Sequence, residues 1–512
     1  MISLDRIPIV SNIKKINIVG AGPGGLTAAM LLAKRGFKVT LFEKENKVGG
    51  RNSSLVKNGY KFDVGPTFLM MKFILDEVFV EAGRKVEDYM EFKRLEPMYR
   101  LQFDDVCLEP TTVKEAMIQQ LEENFPGSSK GYEKFLKTES VRFDRMYPCL
   151  QKDYSTYSKF LSFDLLKALP KLSIGRSLIN VLGNYFDSEK LKLSFTFQSK
   201  YLGMSAWDCP GAFAILPYVE HAFGVYHVTG GLSEISEGMA KVCNEHGVEM
   251  RLGSSVKQLI LDGKNVTGVE LEDGEKVMAD ETVLNADFGY AMKNLVPPGV
   301  LKKYSPKKVD SKEYSCSTFM LYLGVDKVYD LPHHTIYFAG DYKKNIDDVF
   351  TNKVLSDDLS FYVRNASVND PTLAPEGHSA LYVLVPVPNC TANINWQENI
   401  DSFKEKVINE MEERAGMSDL RQHIKEEVVY TPKTWMDMNI QFGATFNLAH
   451  SLKQMMHLRP RNKFEELGNC YLVGGGTHPG SGLPTIYESG RIAANMISKR
   501  HGVVFESKNT QT

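Results

Sequence analysis

The sequence predicts an α/β fold built on a Rossmann-like dinucleotide-binding unit, and three observations carry the prediction. The apolar run Ile16-Asn17-Ile18-Val19 enters Gly20-Ala21-Gly22-Pro23-Gly24-Gly25, a GxGxxG turn. Leu26, Ala29, Met30 and Ala33 then recur at helical spacing as far as Gly36-Phe37. A second apolar strand, Val39-Thr40-Leu41-Phe42, delivers Glu43 close to the expected twenty or so residues beyond the glycines.

In such a unit Gly20 permits the tight turn, Gly22 brings the backbone near a pyrophosphate and Gly25 lets the helix lie on its strand. The helix's partial positive end faces the phosphates. A glycine turn alone also fits a purely structural loop, and the strand, helix and acid in sequence favour the dinucleotide reading. Glu43 is placed to accept hydrogen bonds from ribose hydroxyls and would repel a 2′-phosphate, which leaves FAD or NAD. Lys44 to Arg51 adds Gly49-Gly50-Arg51 just past that carboxylate, where a longer cofactor continues toward a flavin, so FAD is favoured. Arg51 faces the cofactor on this reading; a solvated surface charge is the alternative.

Later elements follow from turns and periodicity. Residues 90 to 220 read as helical, aromatic and methionine-bearing. Gly230-Gly231-Leu232 introduces an amphipathic helix to Cys243, and Val248 to Asp287 alternates short strands with turns at Asp262-Gly263-Lys264-Asn265 and Glu272-Asp273-Gly274. Strands are expected at Phe319 to Val325 and Ala380 to Val387, and helices at Ile400 to Ala415 and after Pro484. The polar tail beyond Arg500 is expected to be disordered.

Near the carboxyl end, Val473-Gly474-Gly475-Gly476-Thr477-His478-Pro479-Gly480-Ser481-Gly482-Leu483-Pro484 resembles the C-terminal flavin signature of the bacterial-type phytoene desaturases, carotenoid and retinoid oxidoreductases of the amine-oxidase-like FAD superfamily. Phe62-Asp63-Val64-Gly65-Pro66-Thr67, Gly230-Gly231-Leu232, Asp370 to Gly377, Leu384 to Pro388 and Leu458-Arg459-Pro460-Arg461-Asn462 resemble further stretches of that family in the family's order, from about residue 14 to 500. The resemblance implies a Rossmann-like FAD-binding domain, an interleaved α+β substrate domain and a helical region with a membrane-associated reading. Its expected divisions are FAD-binding parts at 14–90, 226–300 and 461–501, a helical substrate or membrane region at 91–225, a substrate-binding sheet with helices at 301–460 and a tail at 502–512. It implies cofactor contacts from Gly20, Gly22, Gly25, Glu43, Gly50, Arg51, Gly65, Pro66, Thr67, Gly475, Gly482, Leu483 and Pro484, with the Val256 backbone offered to the adenine.

The implied reaction introduces double bonds into phytoene or a C30 analogue, the flavin accepting a hydride. The remaining allylic cation is acidic enough that little acid–base machinery is required. His478 is the one titratable group in the flavin loop; it serves either as a base or, the favoured role, as a shaper of the loop. Thr67, Met70 and Met71 either line the substrate tunnel or fill a core, and Asp63 is expected to cap a turn. Other carotenoid oxidoreductases (isomerases, saturases, terminal-methyl oxidases) share these motifs. An amine-oxidising flavoenzyme would place an aromatic pair before the flavin, for which Tyr471 and Tyr487 are the candidates in or bordering the last flavin segment. An FAD-dependent scaffold without turnover is the third reading.

Composition agrees. The 512 residues carry 61 basic and 63 acidic side chains, a formal net charge of -2, which gives no reason to expect a nucleic-acid partner. The 7 cysteines form no CxxC pair, no metal site is expected, and a reducing compartment fits them. Met1 to Lys15 carries Asp5, Arg6, Lys14 and Lys15 without a long apolar core, so no export signal is expected, and the protein is placed in the cytoplasm. No apolar run is long enough to span a bilayer. Between Lys159 and Lys200, Phe160, Leu161, Phe163, Leu165, Leu166, Leu169, Leu172 and Ile174 alternate with cations. That pattern suits either a lipid surface or an ordinary core-facing helix pair. No second glycine-rich unit offers a nicotinamide site, so dioxygen or a membrane quinone is the expected oxidant.

Overall fold

The computed structural model describes residues 13–155 and 163–506. Five short parallel strands form the cofactor sheet, in the order Cys470–Leu472, Glu281–Leu284, Lys15–Val19, Lys38–Phe42, Glu249–Arg251. Val19 lies beside both Phe42 and Leu284, and Leu284 beside Leu472, so the first, middle and last parts of the chain share one sheet. The three central strands are buried along nearly their whole length because helices cover the sheet. Helix Pro23–Lys34 packs against helices Ser233–Glu245 and Leu483–Arg500. The last of these approaches closely because Gly490 has no side chain: a Cβ there would stand 2.5 Å from the Gly24 carbonyl oxygen.

A second, seven-stranded sheet runs Ile424–Tyr430, Ser317–Val325, Ser379–Val387, Phe361–Asn365, His334–Tyr337, Arg100–Gln102, Cys107–Leu108. Its two longest central strands are buried on both faces with a period of two. Phe319, Leu321, Leu323, Val383 and Val385 meet helix Trp396–Arg414 through Trp396, Phe403, Val407 and Met411. Met320, Tyr322 and Tyr382 face the other way, into an aromatic core with Tyr60, Phe62, Phe68 and Tyr99. The hairpin strands Val256–Asp262 and Asn265–Leu271, with Lys276–Met278, turn at the Asp/Gly sites expected for them.

Two expectations change, and a third is divided. The helical region begins at Lys114, not near 90: Arg100–Gln102 and Cys107–Leu108 are too short and alternating for a helix and extend the second sheet instead. The tail is ordered at least as far as Phe505, whose ring lies 4.0 Å from the Arg35 guanidinium. Of the apolar stretch between 159 and 200, Lys159, Phe160 and Leu161 lie outside the described residues. Leu165 and Ala168 pack inward on Cys149 and Tyr154, whereas Leu166, Leu169 and Ile174 are 54%, 41% and 66% exposed.

Candidate cofactor cleft

A cleft of about 470 Å³ opens over the carboxyl edge of the cofactor sheet, lined by Gly20, Gly22, Glu43, Gly50 and Arg51, by Ser254, Val256 and Asp287, and by Gly474, Gly475 and Gly476. The volume falls in the range of small-molecule sites, and the place is where open α/β sheets bind ligands.

The opening turn is built by backbone constraints. The Gly20 N–H donates to the Phe42 carbonyl at 2.7 Å while Gly20 adopts a φ of 100°, which side chains resist. Gly25 does not line the cleft; a Cβ there would come within 2.2 Å of the Gly20 carbonyl oxygen, so its role is to let helix and strand touch. Helix Pro23–Lys34 begins at Gly22 with no side-chain cap, leaving its first N–H groups available to a phosphate. Glu43 is buried; its Oε2 accepts from the Ala21 N–H at 2.8 Å and its Oε1 from the Glu45 N–H at 3.1 Å. Burial pushes its pKa up, with those two N–H groups opposing.

Arg51 lines the cleft. Its Nη2 donates to Asp287 Oδ2 at 2.7 Å, while its Nε is buried without a hydrogen-bond partner. Asp287 also accepts from Asn447 Nδ2 at 2.6 Å. An uncapped helix start, glycines where a Cβ would intrude and an orphaned guanidinium N–H are features that suit a dinucleotide's phosphates and a flavin's oxygens.

The carboxyl-terminal loop divides the expected residues. Gly475 lines the cleft, whereas Gly482, Leu483 and Pro484 form the start of helix Leu483–Arg500 behind it. The Gly474 N–H donates to Ser489 Oγ at 2.7 Å. His450 clamps the loop, accepting from the Ser481 N–H at 3.1 Å on Nε2 and reaching the Leu202 carbonyl at 3.3 Å with Nδ1.

His478 does not line the cleft, and its contacts are with the surrounding chain. Its ring meets Tyr154 edge-on at 4.9 Å, its N–H donates to the Pro460 carbonyl and its own carbonyl accepts from Asn462 Nδ2. Burial lowers its pKa to about 4, which favours the neutral ring.

Gly65, Pro66 and Thr67 also stand off the cleft; Val64 is the residue of that stretch that lines it. Instead the stretch is roofed by tyrosines of the second sheet: Tyr322 donates to the Val64 carbonyl at 2.6 Å, Tyr382 to the Gly65 carbonyl at 2.8 Å and Tyr362 to Thr67 Oγ1 at 3.0 Å. Met71 is core, packed with Ile74 and Leu75, and Met70 sits half-buried against both cores.

Asp63 does more than cap a turn. It accepts from the N–H groups of Leu232 and Ser233 at 2.9 Å and from Arg364 Nη1 at 2.8 Å, all buried. Arg364 Nη2 meets His227 Nδ1 at 3.1 Å, and His227 Nε2 meets Asp370 Oδ2 at 2.8 Å. Burial disfavours the Asp370 charge, yet hydrogen bonds from His227, Thr372 and the Gly230 N–H hold its pKa well below the usual carboxylate range. Burial also keeps His227 neutral, consistent with Nδ1 accepting from arginine.

Asn285, Asp287, Asn447, His450 and Ser489 escaped the sequence reading as site residues, and Arg459 entered it only as part of a family stretch. The one local signal was Asn285-Ala286-Asp287 directly after a buried strand, the position where an α/β sheet meets its ligand.

A family model described as flavin containing amine oxidoreductase matches residues 23–498. The 4,4'-diapophytoene desaturase (4,4'-diapolycopene-forming) of Methylomonas sp is 54% identical over 498 residues, covering 97% of this chain and 98% of that protein. The all-trans-zeta-carotene desaturase of Myxococcus xanthus is 36% identical over 503 residues, covering 96% of this chain and 94% of its own length. An oxidoreductase structure from Methanosarcina mazei superposes with a TM-score of 0.59 at 18% identity, covering 95% of this chain and 100% of that one, which shows a shared fold.

Proposed function

This chain belongs to the flavin-containing amine oxidoreductase family, and we propose that it is an FAD-dependent carotenoid desaturase whose preferred substrate is a C30 polyene of the 4,4'-diapophytoene class. The single observation that carries the reading is the near end-to-end 54% identity to a diapophytoene desaturase. The cleft suits the cofactor: Gly20, Gly22 and the free helix start hold the pyrophosphate, Glu43 the ribose, the Val256 backbone the adenine, and Arg51 with the Gly474–Gly476 loop the flavin end.

When bound, FAD supplies a two-electron sink for the hydride of a substrate C–H bond. The chain's own part is binding and orientation. Glu43, Asp287 and Arg51 are engaged in holding the cleft's shape, so none is poised as a strong base, and the proton beside an allylic cation needs none. An amine-oxidising alternative finds no support in its candidate pair: Tyr471 and Tyr487 are buried in the cofactor domain's core and neither lines the cleft.

A substrate this insoluble must be drawn from lipid. Among the described residues no helix is long and apolar enough to cross a membrane. Peripheral attachment at the cytoplasmic face is supported by exposed Leu166, Leu169 and Ile174 beside Lys167, Lys171 and Arg176, with exposed Leu452 and Leu458 nearby, since Met456 of their segment packs on the same small cluster as Leu165. A membrane quinone then competes with dioxygen as the oxidant.

The test is purified protein with FAD, an electron acceptor and liposomes carrying diapophytoene or phytoene. Longer-wavelength products, formed faster from the C30 substrate, are expected. No absorbance change with either polyene overturns the proposal.

A further inference from the structure

Arg459 is 0% exposed, and each of its five N–H donors meets a backbone carbonyl. Nε donates to Thr477 at 3.1 Å, Nη1 to Ala449 at 3.3 Å and Gln454 at 3.2 Å, and Nη2 to Leu448 at 3.1 Å and Gly475 at 2.7 Å. Five donors on five acceptors exhaust the guanidinium, and among the described residues no carboxylate is hydrogen-bonded to it. Gly475 lines the cleft, so this charge lies one peptide behind the cleft wall.

A buried cation without a counter-ion is costly, and five carbonyl dipoles relieve that only in part. The charged and titratable neighbours do not cancel it. His450, His478 and Lys312 are each held toward the neutral form by burial first, with the Arg459 charge adding to it. A backbone hydrogen bond opposes this at His450 and His478, and Asp153 at His478 and Glu465 at Lys312 oppose it more weakly than Arg459 favours it. A group that would gain from the uncompensated field is one that becomes electron-rich in the cleft.

We propose that Arg459 is a positioning residue with an electrostatic role: it pins the carbonyls of the Gly475–Thr477 loop and, as a positive charge shielded from solvent behind that loop, favours the reduced over the oxidised form of the bound flavin. This rests on the FAD reading above. A purely structural staple would share the hydrogen bonds but not the effect on potential.

The experiment is a reductive titration of the holoenzyme against a reference dye, alongside FAD affinity. Arg459→Gln keeps polar contacts but removes the charge. It is expected to lower the preference for reduced over oxidised FAD at least tenfold, about 30 mV for a two-electron couple. Arg459→Lys keeps the charge with fewer donors; its FAD affinity falls while its potential stays near wild type. A wild-type potential in Arg459→Gln, or an equal drop in Arg459→Lys, overturns the proposal. If Arg459→Gln does not fold, Gln454→Glu sets a carboxylate beside an intact guanidinium. The same tenfold loss is expected there, and an unchanged potential overturns the proposal. Failure of the wild-type protein to take up FAD at all would instead strike the FAD reading.

Discussion

Replacing Asp63 by leucine strands the Arg364 guanidinium, and the structure says this is worse than the reverse change. Both side chains are buried, and removing one partner of a buried ion pair costs about 3–5 kcal/mol. Asp63 also serves the Leu232 and Ser233 N–H groups at the start of helix Ser233–Glu245, each a further loss of about 1 kcal/mol. In Arg364→Met, by contrast, the Asp63 carboxylate keeps both N–H donors, while His227 Nδ1 loses its arginine donor at about 1 kcal/mol. Asp63→Leu is therefore expected to be about 1 kcal/mol more destabilising than Arg364→Met. The double variant, with no stranded charge, should be less destabilised than the sum of the singles by at least about 2 kcal/mol. Equilibrium urea unfolding followed by circular dichroism, with FAD absent throughout, gives the four corners of the cycle. Equal single-variant losses, or a double variant additive within about 0.5 kcal/mol, would refute the reasoning.

Gly25→Ala places a Cβ 2.2 Å from the Gly20 carbonyl oxygen, a backbone atom that cannot step aside, so the turn must shift. FAD affinity by fluorescence quenching should fall about 100-fold, the scale set by an ångström of misplacement, and a wild-type affinity would contradict the cradle. Lys200 is buried with its Nζ on Ser360 Oγ at 3.0 Å, and burial lowers its pKa from 10.5 to about 7. The unfolded chain thus binds the extra proton between those values, so this residue makes stability rise with pH from about 7 to 10.5 and contributes its full penalty below about 7. Lys200→Met should raise the melting temperature at pH 6 and flatten that rise; an unchanged pH profile would count against it. Ile174→Glu should weaken flotation with anionic liposomes severalfold while leaving FAD binding intact, and undiminished flotation would remove this patch from the membrane reading.

The opening unit was legible because its causes are local. A glycine turn, a 3.6-residue apolar repeat and an acid one strand later lie between Ile16 and Glu43 and leave few alternatives. The paired central strands were legible too, since Phe319 to Val325 and Ala380 to Val387 are apolar throughout, the mark of burial on both faces. The short strands after Tyr99 were missed because three residues carry too little periodicity to compete with the helical stretch that follows.

Within the cleft, the residues read from the chain were mostly those whose function lies in their own backbone, Gly20, Gly22, Gly50 and Gly475, joined by the side chains of Glu43 and Arg51 close behind the opening glycines. His478, Thr67 and Pro484 sit in motifs beside the cofactor site, but a loop's sequence does not say which side of it faces the ligand. Here His478 turns to Tyr154, and Thr67 turns to Tyr362 of the second sheet. Asp63 reads from the chain as a turn cap and Arg459 only as part of a family stretch, and their partners stand 5 to 18 residues away for Arg459 and up to 301 for Asp63.

The linear sequence by itself determined the dinucleotide turn, the periodicity of its major elements and the family, because each depends on neighbours along the chain. Only the tertiary structure decided which buried charge meets which partner, and which loop side chains face the cleft. Ion pairing and desolvation act across space between segments that the sequence keeps hundreds of residues apart.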